Sequence, residues 1–209
     1  MSGLRLLGWG QSTYTRSVLL ALSEKGLEAE LVTVDPFAEG GPGAGYLARQ
    51  PFGKIPVLEQ GDFSLYETVA ILRYLDEGFD GPSLQPRDPR TRARLQQILS
   101  ILDSYAYRAL VWDLFVNLSE GPRDDAVLAR GRDLGAKALA AIAGLMRGPW
   151  LCGESPSLAD CHLAPILRYA LEVPEGRALV AAEPALMTWW HRSLEREGWA
   201  AILQPPYNP

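Results

Sequence analysis

Ser12 stands immediately before a stretch, residues 13–25, in which Tyr14, Val18 and Leu22 share one helical face, so the serine falls where a helix begins. The first backbone N–H groups of a helix have no intrahelical acceptor and the helix dipole is positive there, so an anion would meet N–H groups and a hydroxyl able to donate. The same serine can act as a plain N-cap, worth about 1 kcal/mol to the helix. A second pattern is Ile55-Pro56 at the entry to a strand, where a proline has no N–H to give to the ladder. In the commoner trans form it is a strand-entry residue, whereas in the cis form Ile55 would offer its N–H and C=O to an extended, peptide-like ligand. The third is Glu67-Thr68, heading a run otherwise made of Val69, Ala70, Ile71, Leu72 and Leu75. The carboxylate could take an ammonium, and the Thr68 hydroxyl with the helix N-terminus a carboxylate, which are the two ends of an amino-acid head group. Read structurally, the pair is a cap and a first-turn acid. Asp103 lies beside the apolar positions Leu99, Leu102, Ala106 and Leu110, where an unpaired carboxylate is costly, so a cationic partner is expected.

The elements that must carry these residues follow from pattern and punctuation. Residues 4–9 read as a buried strand, 13–25 as a helix closed by Gly26, and 28–34 as a second strand. Residues 35–45, with Gly40-Gly41-Pro42-Gly43, are too glycine-rich for regular structure and are expected to form a mobile loop. Two short strands flank Gly61-Asp62, a pair suited to a tight hairpin. A helix opening on Glu67-Thr68 and stopping before Gly78 completes a β-α-β-β-β-α domain over residues 1–80. Residues 81–88, rich in proline, form a linker. From 89 to 209 no strand is expected, only amphipathic helices over about 90–118, 124–146, 157–171 and 184–197, broken at Gly121-Pro122, Gly148-Pro149 and Val173-Pro174.

Composition bounds the chemistry. The 209 residues are 47% hydrophobic and 22% charged, ordinary globular values, and no run reaches the roughly 20 apolar residues a membrane span requires. The net charge of −5, with arginines scattered among acids, argues against nucleic acid as a partner. Cys152 and Cys161, with eight residues between them, match neither a redox pair nor a metal spacing and read as reduced, packed thiols. His162 and His191 are too few for a metal site and read as structural, so no metal is expected. The N-terminus lacks an export pattern, and a cytoplasmic protein is expected.

Ser12-Thr13-Tyr14-Thr15-Arg16-Ser17-Val18, Phe52-Gly53-Lys54-Ile55-Pro56-Val57-Leu58 and Leu65-Tyr66-Glu67-Thr68-Val69-Ala70-Ile71 resemble, in order and spacing, three signatures of cytosolic glutathione transferases. Downstream, Trp150-Leu151-Cys152-Gly153 leading into Ser157-Leu158-Ala159-Asp160 is similar to the family's capping box in a buried helix of the second domain. The resemblance covers nearly the whole chain. It implies the glutathione transferase fold, a thioredoxin-like N-terminal domain followed by an all-helical C-terminal domain, with glutathione as co-substrate and a homodimer as the assembly. Ser12 falls at the activating serine of the theta-like and phi-like branches, with Tyr14 a lesser candidate. Lys54, Ile55, Pro56, Glu67 and Thr68 fall at glutathione-binding positions, and Asp103 is the nearest match to an acid that can reach the glutamyl ammonium of the neighbouring subunit, with a solvated or intrachain-paired aspartate as the other reading. Tyr14, Tyr105 and Trp112 are expected toward a pocket for an apolar electrophile, although aromatics at helical spacing also read as core. The phi-like branch holds the glycyl carboxylate with basic side chains in the loop that is here Gly40-Gly41-Pro42-Gly43-Ala44-Gly45, leaving Lys54, with Arg49 within reach, to supply charge. A transferase is the first reading. A glutathione-dependent dehalogenase, isomerase or ether-cleaving enzyme, and a non-enzymatic binding module of the same fold, are the alternatives.

Overall fold

The computed structural model of the chain describes residues 3–120 and 122–204. Gly121, part of one expected break, lies outside the described residues, as do 1–2 and 205–209 at the outer ends of the two expected domains. By compactness the chain divides between Ser83 and Leu84, into a first unit that also takes in Gln204 and a second unit Leu84–Leu203.

Four strands of the first unit, β1 (Leu4–Gly8), β2 (Ala29–Thr33), β3 (Val57–Gln60) and β4 (Phe63–Tyr66), form one sheet in the order β2-β1-β3-β4. β1 buries Leu4, Leu6 and Leu7 and so belongs inside the sheet, while β2, with most side chains exposed or half-buried, belongs at an edge. Parallel β1 and β2 are joined by the helix α1 (Thr13–Lys25), which the left-handed Gly26 (φ 64°) closes as its C-cap. β3 and β4 are an antiparallel hairpin turning at Gly61-Asp62. Between the two pairs the glycine-rich stretch ends in a single helical turn, α2 (Ala44–Leu47), that the sequence pattern did not reveal. The helix α3 (Thr68–Gly78) packs with α1, and the buried Lys25 ammonium at the end of α1 bonds the Asp76 carbonyl of α3 at 3.2 Å.

The second unit is helical: α4 (Pro89–Ile101), α5 (Asn117–Ser119), α6 (Asp125–Leu145), α7 (Leu158–Ala170), α8 (Pro174–Ala181), α9 (Pro184–Glu195) and α10 (Trp199–Ile202). The expected helix over 90–118 is continuous but not uniform. Leu102–Ala106 and Arg108–Val116 are wound as wider π turns, with the Tyr107 N–H reaching back five residues to the Leu102 carbonyl. α8 begins at Pro174, which the sequence pattern takes as a break. Proline suits the first helical position, where its missing N–H is not needed.

Asp113, in the second π segment, is fully buried, and Arg130 of α6 binds it through two hydrogen bonds of 2.9 Å while Arg108 adds one of 2.8 Å. The helices approach closely here, since a Cβ on Gly131 would stand 2.8 Å from Asp113 Cβ. Burial alone would push the Asp113 carboxyl up, but the two arginines outweigh it and hold the group below its usual range. A carboxyl depressed on folding binds fewer protons in the native than in the unfolded state. Its stabilisation is therefore complete above about pH 4 and is lost as pH falls through the folded value. Asp113→Asn is expected to lower stability at pH 7 by about 3 kcal/mol, on the scale of a broken buried ion pair. The same variant flattens the loss of stability below about pH 4, which urea titrations of both proteins at pH 7 and pH 3 would show.

Candidate functional site

The sheet register brings three separate segments to one end of the first unit. β1 pairs antiparallel with β3 so that Leu7 faces Val57, and β3 with β4 so that Val57 faces Tyr66. The residues after β1, before β3 and after β4 therefore share an end of the sheet, and these are Ser12, Lys54-Ile55-Pro56 and Glu67-Thr68. Gly8 permits the closest approach: a Cβ there would lie 2.6 Å from Thr15 Oγ1 on α1 and 3.4 Å from Pro56 Cβ. The glycine leaves room for the Thr15 side chain of the first turn of α1 against the end of β1, while the proline would stand in ordinary contact. Nothing in the strand pattern singles Gly8 out, although a small residue at a strand end beside a helix start is the signal that could have found it.

Ser12 is the N-cap of α1 in extended backbone geometry, and its Oγ accepts the Thr15 N–H at 3.4 Å. A hydroxyl that accepts through a lone pair keeps its own hydrogen to donate, so the cap and an anion-stabilising role are compatible. The preceding turn is closed by the Ser12 N–H on the Trp9 carbonyl at 2.8 Å and pinned by buried Arg16, whose Nε donates to the Gly10 carbonyl at 2.9 Å. Tyr14 is half-buried one residue into the helix.

The Ile55–Pro56 bond is cis, and Pro56 is buried where it enters β3, with Ile55 half-buried and Lys54 exposed. Of the two cations that could replace those missing from the glycine loop, Arg49 is already committed, its Nε 2.6 Å from Glu59 and its guanidinium donating to the Gly45 carbonyl. Lys54 carries the remaining charge of this segment.

Glu67 does not open the following helix as a first-turn acid. It precedes α3 as N-cap at φ 71°, ψ 114°, the one non-glycine positive φ among the described residues, and its side chain makes no capping bond. Such a conformation costs a non-glycine residue about 1–3 kcal/mol and is typical of functional positions. Thr68, the first helical residue, is buried.

The second unit holds the remaining candidates. Asp103, in the first π segment, is half-exposed and its Oδ1 lies 3.0 Å from Nε2 of His162, a fully buried residue of α7. The partner that the fold gives Asp103 is thus a histidine side chain of the same chain. Tyr105 is 51% exposed and so is not core, whereas Trp112 is half-buried and its indole engages the Tyr107 hydroxyl. Cys152 is half-buried with its thiol pushed up to about 11 by burial, and Cys161 is buried, neither in a disulfide. Among the described residues no group of three or more His, Cys, Asp or Glu is placed to hold a metal ion, and no helix is long and apolar enough to cross a membrane.

Comparison with known proteins shows the family. Residues 6–83 match the family model for the N-terminal domain of glutathione S-transferase, and residues 95–197 that for its C-terminal domain. The chain is similar to glutathione S-transferase F14 of Arabidopsis thaliana, 35% identical over 91% of this chain and 78% of the relative. It is also similar to glutathione S-transferase 3 of Zea mays, at 33% identity over 99% and 97%. Among solved structures it resembles glutathione S-transferase III in apo form, with a TM-score of 0.83 and 32% identity over 99% of both chains. A theta class glutathione S-transferase from Xanthomonas axonopodis pv. citri, solved with glutathione bound, matches with a TM-score of 0.83 and 25% identity over 99% of both chains.

Proposed function

Since the chain belongs to the glutathione S-transferase family and is a transferase built from its thioredoxin-like and all-helical domains, we propose that Ser12 is the residue that activates glutathione. The observation that carries this is Ser12's placement as a half-buried N-cap whose hydroxyl accepts from Thr15 and keeps its hydrogen. The hydroxyl donates to the sulfur of bound glutathione and the positive end of α1 adds to it, so the thiol gives its proton to solvent. The thiolate then forms a carbon–sulfur bond to an apolar electrophile, whose leaving group departs with the bonding pair, or which takes up a proton where the reaction is an addition. Glutathione supplies the nucleophile and the protein its ionisation.

Lys54, Ile55, Pro56, Glu67 and Thr68 form the glutathione strip in this reading. Main-chain groups of Ile55 meet the extended tripeptide, Lys54 faces its glycyl carboxylate, and Glu67 with Thr68 meets the glutamyl head group, supported by their shared end of the sheet and by the strained backbone at Glu67. Asp103, braced by His162, reaches the glutamyl ammonium of the neighbouring subunit of a homodimer, and Tyr14 in the first unit and Tyr105 and Trp112 in the second are each assigned to contact with the electrophile. The protein works in the cytoplasm. A free thiol has a pKa of about 8.5, and a hydrogen bond to an anion is worth about 1.5–3 kcal/mol, one to two pKa units. Ultraviolet difference titration of glutathione on the purified protein is expected to show thiolate forming one to two units below that value. Absence of bound thiolate at any pH below about 8 would overturn the assignment.

A further inference from the structure

We propose that Tyr46 is a positioning residue for glutathione, acting through the main chain of Lys54; this rests on the glutathione strip described above. Tyr46 belongs to the short α2 turn at the end of the glycine-rich segment, yet it is 6% exposed and its ring packs into the sheet core with Leu7 and Val57, against Ile55 and Val34. From that anchorage its hydroxyl donates to the Lys54 carbonyl at 2.6 Å, a short bond for an O–H···O pair. Lys54 is the residue immediately before Ile55-Pro56 and carries the uncommitted cation of the strip, so the plane of its peptide sets where both the ammonium and the Ile55 N–H point. The glycines upstream, with Gly40, Gly41 and Gly43 all at positive φ, give the segment little stiffness of its own. A core-anchored hydroxyl on Lys54 supplies what the loop lacks. Burial pushes the Tyr46 phenol up to about 12, so it remains a neutral donor throughout the working pH range.

A positioning role predicts a defect in binding and not in thiol ionisation, because Ser12 lies on a different segment. Tyr46→Phe removes only the donor and keeps the ring in the core. It is expected to raise the Kd and KM for glutathione about 3- to 10-fold, the scale of one lost hydrogen bond, with kcat at saturating glutathione and the pKa of the bound thiol unchanged. Isothermal titration with glutathione, steady-state kinetics and thermal melts of Tyr46→Phe and Lys54→Ala, run together, separate the outcomes. Weaker binding in both variants with the thiol pKa held supports the proposal. A lower Tm with unaltered Kd in Tyr46→Phe, while Lys54→Ala binds weakly, overturns it and leaves the strip standing, since the hydroxyl then serves stability alone. Unaltered Kd in both variants overturns the strip and this inference with it. A shift of the thiol pKa in Tyr46→Phe also overturns it, because the residue would then act on the sulfur.

Discussion

Ser12→Ala is expected to cut the fraction of bound glutathione present as thiolate by tenfold or more at pH 6.5. Without a donor, a thiol of pKa about 8.5 is roughly 1% ionised at that pH, and one to two units of depression raise this to between about a tenth and a half. Part of the gain is returned in rate, because a thiolate of lower pKa is the weaker nucleophile, but the Brønsted coefficient of about 0.4–0.5 returns less than or about half on the logarithmic scale. With the sulfur's orientation also lost, kcat/KM at pH 6.5 is expected to fall at least about fivefold. The defect should narrow toward pH 9, where the unassisted thiol ionises anyway. That pH dependence distinguishes the chemistry from the cap. The Thr15 N–H bond to Ser12 is long at 3.4 Å, so its loss costs the helix about 1 kcal/mol at most and is blind to pH in this range. A Ser12→Ala protein with wild-type thiolate titration would leave Ser12 as a cap and nothing more.

How much of this was legible before the structure depends on the range of the interaction concerned. The helix from Thr13 to Lys25 and the hairpin at Gly61-Asp62 follow from neighbours a few residues apart, where cap, periodicity and turn chemistry coincide. The types of the site residues were legible too, but their convergence rests on the register Leu7 to Val57 to Tyr66, which no local signal states, and their roles came from the resemblance. The conformation of Glu67 was hidden because strain is a property of the backbone that the surrounding fold imposes, not of the residue type. The π turns escaped because apolar residues at Leu102, Ala106, Leu110 and Leu114, four apart, fit a wider helix as well as an α-helix, and all four are buried. Long-range polar pairs were out of reach: Asp103 finds His162 fifty-nine residues away, Asp113 finds Arg130 seventeen away, and Arg49 is drawn from the loop to Glu59. Each is chosen by tertiary packing, and each decides which charges remain for a ligand.

The capping box at Ser157 and Asp160 is where a single side chain is expected to matter most for stability. Asp160 is fully buried at the start of α7 and accepts four hydrogen bonds: from the Leu151 N–H at 2.9 Å, the Ser157 N–H at 2.8 Å, the Ser157 hydroxyl at 2.6 Å and Nε1 of Trp189 at 2.7 Å. One carboxyl thus joins the Trp150–Gly153 turn, the first turn of α7 and the core of α9. Burial pushes this carboxyl above its usual range against the pull of its hydrogen bonds, and a set made only of donors fits the carboxylate form. Asp160→Ala strands three N–H donors that cannot turn elsewhere in a site closed to water, at about 1–3 kcal/mol each. The sum is comparable with the 5–15 kcal/mol that holds an ordinary domain together, so little folded protein is expected at 37 °C. Asp160→Asn keeps the volume and the acceptor on one side while setting an NH2 against fixed donors on the other, and should fall in between. Ser157→Ala loses one donor and its cap, about 0.5–2 kcal/mol. Urea unfolding followed by the fluorescence of the buried tryptophans should rank the proteins wild type, Ser157→Ala, Asp160→Asn, Asp160→Ala. An Asp160→Ala protein within about 1 kcal/mol of wild type would mean that α7 and α9 are held by their apolar faces alone.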